Sequence, residues 1–203
     1  GEDGLPPIVH YSYSPSRSGD TAIKLLDGIA PGTYLMCDGY SGYNRLTDIK
    51  RCTCYAHIRR YLYEAIPSGR GNDLTHPAVT GVMLCKQLFE YERKYAEKGL
   101  SPKKRHARRL KDEKPVIEAL LVWADSQPVT GSGRLSKAIT YIRNRRNAMF
   151  TFLEDGRCSL SNNPSENSIR PVTVGRKNWL FSKSVEGAEA SMGIYTIVEM
   201  AKL

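Results

Sequence analysis

The chain changes its pattern about a third of the way along, and this change limits the folds that it can adopt. Up to residue 66, short β-rich runs alternate with helical runs, whereas residues 77–153 have helical patterns and no β-rich run. The alternating part predicts an α/β domain with some parallel strand pairing, because a crossover helix joins two parallel strands. The helical part predicts an insertion into that domain.

Four runs in the first part carry this prediction. Residues 8–14, IVHYSYS, are rich in β-forming side chains and predict a strand, and residues 20–29 predict a helix. Residues 31–40, PGTYLMCDGY, predict a turn and a short buried strand with Asp38 at its carboxyl end. Residues 50–66 begin like a strand and continue like a helix. At the other end of the chain, GAEASMGIYTIVEMAKL predicts a final helix.

The composition indicates a basic protein with a polyanionic partner. Thirty Lys and Arg against 21 Asp and Glu give a formal charge of +9, which favours nucleic acid over an acidic membrane surface. A solvated basic surface is the bland alternative. The five cysteines are odd in number and the chain is not small, so no disulfide framework is expected. No apolar run approaches the roughly 18 residues of a membrane span and no signal peptide opens the chain, which predicts a cytoplasmic, reducing setting.

Two acidic residues are candidates for catalysis, and each has a structural alternative. Asp38 follows a strand at the edge where α/β sheets bind ligands, but Asp-Gly is also a common turn pair. Glu166 lies three residues after Asn163, which together with Pro164 predicts the start of a helix. The same spacing predicts a capping box, in which Glu166 folds back on the cap and is not free to bind a metal ion.

Basic residues and an aromatic residue follow Glu166, and we predict that they contact DNA. A short helix followed by a basic turn suits contacts with phosphates and stacking on a base, although it also suits an ordinary exposed loop. The members of this group are Arg170, Arg176, Lys177, Asn178 and Trp179. A denser basic run, residues 103–111, follows the helix-start pair Ser101-Pro102 and predicts a solvated helix face, or else a grip on the DNA backbone.

Cys54 and His57 have a spacing that invites a zinc site, with Cys52 as a third candidate. A structural zinc site has four ligands in two close pairs, and no second pair follows at a suitable spacing, so zinc is disfavoured. A cysteine protease is disfavoured too, because no third group or oxyanion site is recognisable. We predict that His57 has a positioning role at DNA beside Arg59 and Arg60, and the alternative is a packed Cys-His pair.

Several of these motifs, taken together, resemble the transposases of the insertion sequence 66 family. In chain order they are YSYSPSRSG, LMCDGYSGYN, CYAHIRRYL, LSNNPSENSIRPVTVGRKNWLFSKS and GIYTIVEMAKL. The resemblance implies an α/β, ribonuclease-H-like core, a mixed sheet flanked by helices, with an all-helical insertion. It implies an N-terminally incomplete first part of the core at residues 1–75, the insertion at 76–153, and the C-terminal part with the Glu helix at 154–203.

The resemblance also implies an Asp-Asp-Glu catalytic triad. By position, Asp38 matches the second Asp and Glu166 matches the Glu, so that Asn163 alone caps the helix. Cys54 and His57 match a Cys-x-x-His element. Carboxylates of this kind hold Mg²⁺ or Mn²⁺, here in an expected two-metal site for cleavage and strand transfer of DNA. Only Asp3 precedes the first β-rich run, and it is not on a predicted strand. We therefore expect a C-terminal portion of a catalytic domain, inactive alone because the first Asp is missing.

The resemblance implies partners as well. These are transposon ends and target DNA, with a homo-oligomer assembled on them, in the bacterial cytoplasm at the nucleoid and without a membrane partner. Two alternatives to a transposase remain open. One is a non-catalytic nucleic-acid-binding protein on the same scaffold, and the other is an interaction domain with no nucleic-acid role.

Overall fold

The computed structural model describes residues 7–16, 18–71, 73–179 and 182–203, with the backbone alone at 176–179. These residues form a mixed α/β protein that is mostly helical. The chain divides into two compact units. The sheet unit consists of Ala30–Tyr40 and Asp48–Asn162. The terminal unit consists of Gly1–Ile29, Ser41–Thr47 and Asn163–Leu203.

The sheet unit contains two short parallel strands. Strand β1 (Tyr34–Cys37) pairs with β2 (Lys50–Thr53), and Cys37 lies opposite Thr53 at the carboxyl end of the pair. Asp38 therefore follows β1 directly, and the predicted strand is confirmed, although only Cys37 of its four residues is fully buried. The predicted parallel pairing is confirmed as well.

Helices make up the rest of the sheet unit, and the helical pattern of residues 77–153 is confirmed. Strand β2 passes through Cys54 into helix α2 (Tyr55–Glu64), as predicted. The helices that follow are α3 (Pro77–Glu97), α4 (Pro102–Arg108), α5 (Lys114–Ser126) and α6 (Arg134–Arg143), with a π-helical turn at Arg109–Glu113 and 3-10 turns at Asn147–Met149 and Thr151–Glu154. The helical region thus belongs to the same compact unit as the two strands.

A hydrophobic core joins these helices to the sheet. Helix α2 packs on α3 and α6, and α5 packs on α3 and α6 in turn. Gly81 permits a close approach within this group, because a Cβ atom there would lie 2.7 Å from a ring atom of Trp123 on α5. The core includes Tyr55, Ile58, Leu62, Leu88, Ile117, Leu120, Ile139, Ile142, Met149 and Phe152, all of them fully buried.

A buried ionic cluster lies at the π-helical turn. The fully buried Arg109 donates hydrogen bonds to both carboxylate oxygens of Glu92 on α3, at 2.7 and 2.9 Å. It also donates to the main-chain carbonyls of Phe152, Asp155 and Cys158. Arg109 lies in the basic run 103–111, so the prediction of a solvated helix face is wrong for this residue. A buried guanidinium needs this many acceptors, because leaving it unpaired would be costly.

Glu113 completes the ionic cluster. Its side chain is fully buried, and burial raises the pKa of the carboxyl to about 9, with the neighbouring Glu92 carboxylate adding to the effect. Glu113 is therefore protonated and neutral at pH 7. A neutral Glu113 adds no charge to the cluster, so that the Arg109 guanidinium is balanced by the Glu92 carboxylate.

The terminal unit contains helix α1 (Gly19–Leu25), a 3-10 turn at Ser41–Arg45, and the C-terminal helices. These are α7 (Asn163–Ser168), α8 (Arg170–Trp179) and α9 (Val185–Met200). The helix predicted at residues 20–29 is confirmed, as is the final helix. Asp20 on α1 pairs with Arg45 of the 3-10 turn at 2.5 Å.

The strand predicted at residues 8–14 is absent, and the prediction is wrong. This described segment has no regular secondary structure, and its main-chain N–H groups bond to side chains of α9. The N–H of Val9 donates to the sulfur of Met200 at 3.1 Å, and the N–H of Tyr11 donates to the hydroxyl of Thr196 at 3.0 Å. A segment rich in β-formers satisfies its donors on a helix here, because β-propensity depends on the available partner.

The ribonuclease-H-like arrangement and the predicted domain boundaries stay predictions. Among the helices of the described residues, none is both long enough and apolar enough to cross a bilayer.

Candidate functional site

Asp38 lies at the carboxyl edge of the parallel strand pair. Its side chain is half-buried, and its Oδ1 accepts a hydrogen bond from the backbone N–H of Tyr40 at 3.0 Å. Beside it, the backbone N–H of Cys54 donates to the carbonyl of Cys37 at 3.3 Å and extends the pairing by one residue. This edge is where α/β sheets place ligands, so the position of Asp38 matches the expectation for a functional carboxylate.

The thiols around this edge, those of Cys37, Cys52 and Cys54, are buried. The Cys37 thiol does not titrate near neutral pH. Burial raises the pKa of the Cys37 thiol to about 11, and the Asp38 carboxylate adds to the effect. A thiol in this state is neither a good nucleophile nor a ready metal ligand. The Cys37 thiol is therefore a poor candidate for chemistry at this edge.

Cys54 and His57 both lie in the interior of the sheet unit. Cys54 is fully buried at the start of α2, and its sulfur accepts a hydrogen bond from the backbone N–H of Asn162 at 3.4 Å. His57, one turn further on, is 7% exposed. Within the described part of the chain, no group of three or more His, Cys, Asp or Glu residues is placed to hold a metal ion. Cys54 thus has a visible packing role, linking α2 to the segment that precedes Asn163.

Glu166 lies on helix α7 of the terminal unit, and its side chain is exposed. The helix begins at Asn163, one residue earlier than predicted, so Pro164 is its second residue. The hydroxyl of Tyr11 donates to the carbonyl of Ser168 at the end of this helix. Asp38 and Glu166 belong to separate compact units. Their joint action on one metal site stays a prediction.

The predicted DNA contacts lie on helices. Arg59 and Arg60 are exposed on α2, and Arg60 pairs with Glu64 at 4.0 Å. Arg170 is exposed at the start of α8. The backbone of α8 continues as helix through residues 176–179, so the predicted basic turn is wrong there. Pro171 near the helix start favours this outcome, since proline is compatible with a first turn.

The side chains of Arg176, Lys177, Asn178 and Trp179 lie outside the described residues. Their contacts with DNA stay predictions, as do those of His57, Arg59, Arg60 and Arg170. Burial of His57 leaves it little surface for a partner, which fits a positioning role better than a direct contact.

Arg145 is a neighbour of Asp38 that sequence reasoning did not single out. It follows helix α6, and its Nη2 donates to the carbonyl of Gly39 at 2.8 Å. Its region of the sequence predicted only a helical pattern, over residues 77–153. The one available signal was the glycine after Asp38, and Asp-Gly is also a common turn pair.

A shallow depression of about 310 Å³ lies along α6 and the residues that follow it, including Arg145. Its described lining holds two cations, hydroxyl and amide groups, and no carboxylate: Gly131, Ser136, Lys137, Thr140, Tyr141, Asn144 and Arg145. The buried hydroxyl of Tyr141 has no hydrogen-bond partner among the described residues, and burial raises the pKa of this hydroxyl to about 12. A surface of this composition suits an anion such as a DNA phosphate.

One family model matches the chain, and the similar proteins found are uncharacterized. The model of the family described as "Transposase IS66 family" matches residues 1–190. Two similar proteins of Sinorhizobium fredii (strain NBRC 101917 / NGR234) are the uncharacterized proteins y4hP, 30% identical over 215 residues, and y4qI, 29% identical over 209 residues. Each alignment covers 98% of this chain and 38% of the relative, so the chain spans less than two fifths of their length. No solved structure matches.

Proposed function

Because the chain belongs to the IS66 family of transposases, we propose that it contributes to the catalytic centre with which such a protein cuts and joins DNA. The family makes a DNA-processing enzyme the starting point. Our finer proposal is a metal-dependent phosphoryl transfer in which Asp38 and Glu166 are two of the acids. This proposal concerns the whole protein, because the chain spans only 38% of the length of its relatives.

The observation that carries the proposal is the place of Asp38 in the sheet unit. It directly follows β1 at the carboxyl edge of a parallel pair, and one of its oxygens is held by the N–H of Tyr40. A half-buried carboxylate fixed in this way keeps lone pairs for a cation and loses little conformational freedom on binding it. The hydrogen bond to Tyr40 is that of an Asx turn, which the turn interpretation also predicts, so the placement at the edge of the parallel pair is the part that favours a functional carboxylate.

Mg²⁺ or Mn²⁺ fits the donor chemistry of these residues. Hard divalent ions prefer oxygen ligands, and Mg²⁺ keeps several waters, so that one or two carboxylates suffice. Asp38 and Glu166 would hold the metal. When bound, a pair of such ions supplies Lewis-acid stabilisation to the phosphate oxygens and lowers the pKa of a bound water.

The basic residues of the chain bind and orient the DNA in this proposal. The exposed guanidinium groups of Arg59, Arg60 and Arg170 hold phosphates and offset charge that develops on the reacting phosphate. Arg60 exchanges its surface pair with Glu64 for a phosphate at little cost, because exposed pairs contribute about 0–1 kcal/mol. His57, which is buried on α2, orients this helix in the proposal. The α8 residues predicted to contact DNA hold further phosphates.

The proposed architecture is a ribonuclease-H-like core interrupted by the helical region. The parallel β1–β2 pair followed by α2 supports this architecture. So does the described region from α3 to α6, in which helices follow one another with no strand between them. On this account the helical region carries the basic depression beside Arg145 and adds a further surface for the DNA backbone.

A cleavage assay tests the proposal. It uses the full translation product of the gene and a plasmid that carries the gene with its flanking DNA, with and without Mg²⁺. We expect strand cuts at the element ends that need Mg²⁺ and fall to background in Asp38→Ala and in Glu166→Ala. Asp27→Ala and Glu189→Ala remove exposed acids elsewhere in the chain and should cut like the wild type. Wild-type cutting by both Asp38→Ala and Glu166→Ala would overturn the proposal.

The same proteins separate catalysis from binding alone. If the protein binds DNA with a steep salt dependence but cuts none in Mg²⁺, a non-catalytic nucleic-acid-binding role replaces the proposal. If it neither binds nor cuts DNA, the chain is an interaction domain.

A further inference from the structure

Arg145 is docked on the residue that follows Asp38. Its Nη2 donates to the carbonyl of Gly39 at 2.8 Å, and its Nη1 donates to the carbonyl of Tyr141 at 3.1 Å. The carbon of the guanidinium lies 3.6 Å from the centre of the Tyr141 ring. Two hydrogen bonds and a cation–π contact therefore fix one planar group between α6 and the loop after β1.

The docked guanidinium leaves no room for a side chain at Gly39. A Cβ atom at Gly39 would lie 1.8 Å from Nη2 and 2.4 Å from Cζ of Arg145, closer than any contact that atoms tolerate. The φ angle of Gly39 is not in the left-handed region, in contrast to Gly32 at 79°. The absence of a side chain thus serves a close approach rather than an unusual backbone conformation.

We propose that Arg145 is a positioning residue for Asp38, one that holds the Asp38–Gly39 backbone in place from the helical region. This inference rests on the proposed function. The Asp38 side chain accepts a hydrogen bond from the N–H of Tyr40, and Arg145 donates to the carbonyl of the next residue, Gly39. A residue that fixes the position of a catalytic group affects the rate, because a displacement of about 1 Å lowers the rate about 100-fold. The helical region would then set the geometry of the catalytic edge as well as offering surface to DNA.

A stability cycle tests the docking without any catalytic readout. The four proteins are the wild type, Gly39→Ala, Arg145→Ala and the double variant, each unfolded in urea. We expect Gly39→Ala to destabilise the chain on its own and to cost much less when Arg145 is already Ala, because the new methyl group occupies the vacated space. Additive effects of the two changes would overturn the docking.

Cleavage kinetics test the positioning role. They use the full translation product, at a temperature where every variant is folded by circular dichroism. We expect Arg145→Ala and Gly39→Ala to lower the rate at saturating DNA about 100-fold, and we expect Gly39→Ala, which keeps every cation of the depression, to leave the DNA dissociation constant unchanged. Arg146→Ala is the matched control, since Arg146 is the next residue and pairs with Asp125 instead. It should cut like the wild type.

The possible failures are distinguishable. Wild-type cutting by Arg145→Ala, or a lower DNA affinity with an unchanged rate at saturation, would overturn the positioning role and leave the proposed function standing. If the wild type itself does not cut, the proposed function fails and the positioning role falls with it. The stability cycle would still report whether the guanidinium lies on Gly39.

Discussion

Replacing Glu113 by Gln should remove a large part of the pH dependence of stability. The side chain is fully buried, and burial, with the Glu92 carboxylate, raises the pKa of Glu113 from its ordinary value of 4.5 to about 9. Between these values the folded chain keeps a proton that the unfolded chain releases. Glu113 therefore contributes its full stability below about pH 4.5, and this contribution is lost as the pH rises toward about 9.

The magnitude follows from one retained proton. Such a proton lowers the free energy of unfolding by about 1.4 kcal/mol for each pH unit within the window. From about pH 6 to about pH 8, the wild type should lose about 3 kcal/mol relative to Glu113→Gln. Glutamine is neutral at every pH and has the size of a protonated carboxyl, so the variant keeps the packing and removes the titration.

Urea unfolding followed by circular dichroism at several pH values measures this difference. Glu118→Gln on α5 is the control, because Glu118 is an exposed glutamate paired with Lys114 at 3.9 Å. It should run parallel to the wild type. A constant difference between the wild type and Glu113→Gln across this range would refute the reasoning, since Glu113 would then be ionised in the folded chain.

Three further changes have defined outcomes. Arg109→Met leaves the partly buried Glu92 carboxylate and three main-chain carbonyls without their donor and should cost about 3–5 kcal/mol in equilibrium unfolding; a cost below about 1 kcal/mol would contradict the ionic cluster. Ser184→Ala removes the side-chain cap of α9 and should cost about 1 kcal/mol by the same measurement, so an unchanged stability would count against the cap. The pKa of the Cys158 thiol is lowered by a hydrogen bond from Cys52, whereas burial raises the pKa of Cys85 to about 12. Iodoacetamide near neutral pH should therefore label Cys158 well before Cys85, as mass spectrometry would show, and the reverse order would contradict it.

The helical part of the fold was predictable because its pattern is local. Helices α3, α5 and α6 bury apolar residues at helical spacing, and this periodicity is visible without knowing any partner. The strand that ends before Asp38 was equally clear, as a short apolar run between turn residues. Both predictions depend on side chains within a few positions of one another.

The failures depend on contacts between distant parts of the chain. Residues 8–14 have β-forming side chains, but their N–H groups find acceptors on α9, which is 191 residues away in the case of Val9 and Met200. Arg109 lies in a run that looks solvated, and its burial is decided by carbonyls more than 40 residues away. A local pattern contains no information about such partners.

The candidate site shows the same division. Asp38 was identified because a strand end and an acidic residue coincide in the sequence. Arg145 was not, because its contact with Gly39 spans 106 residues. Gly39 itself was assigned to a turn, since the sequence does not distinguish a glycine needed for its φ angle from one needed for close approach.

Iron-mediated cleavage of the polypeptide is the most direct test of the central claim, that Asp38 and Glu166 share a divalent metal site. Fe²⁺ bound in place of Mg²⁺ generates hydroxyl radicals with ascorbate and peroxide, which cut the backbone close to the metal. In the full translation product we predict cuts both near Asp38 and near Glu166, suppressed by excess Mg²⁺ and lost together in Asp38→Ala. Cuts near only one of these residues, or near neither, would contradict the shared site.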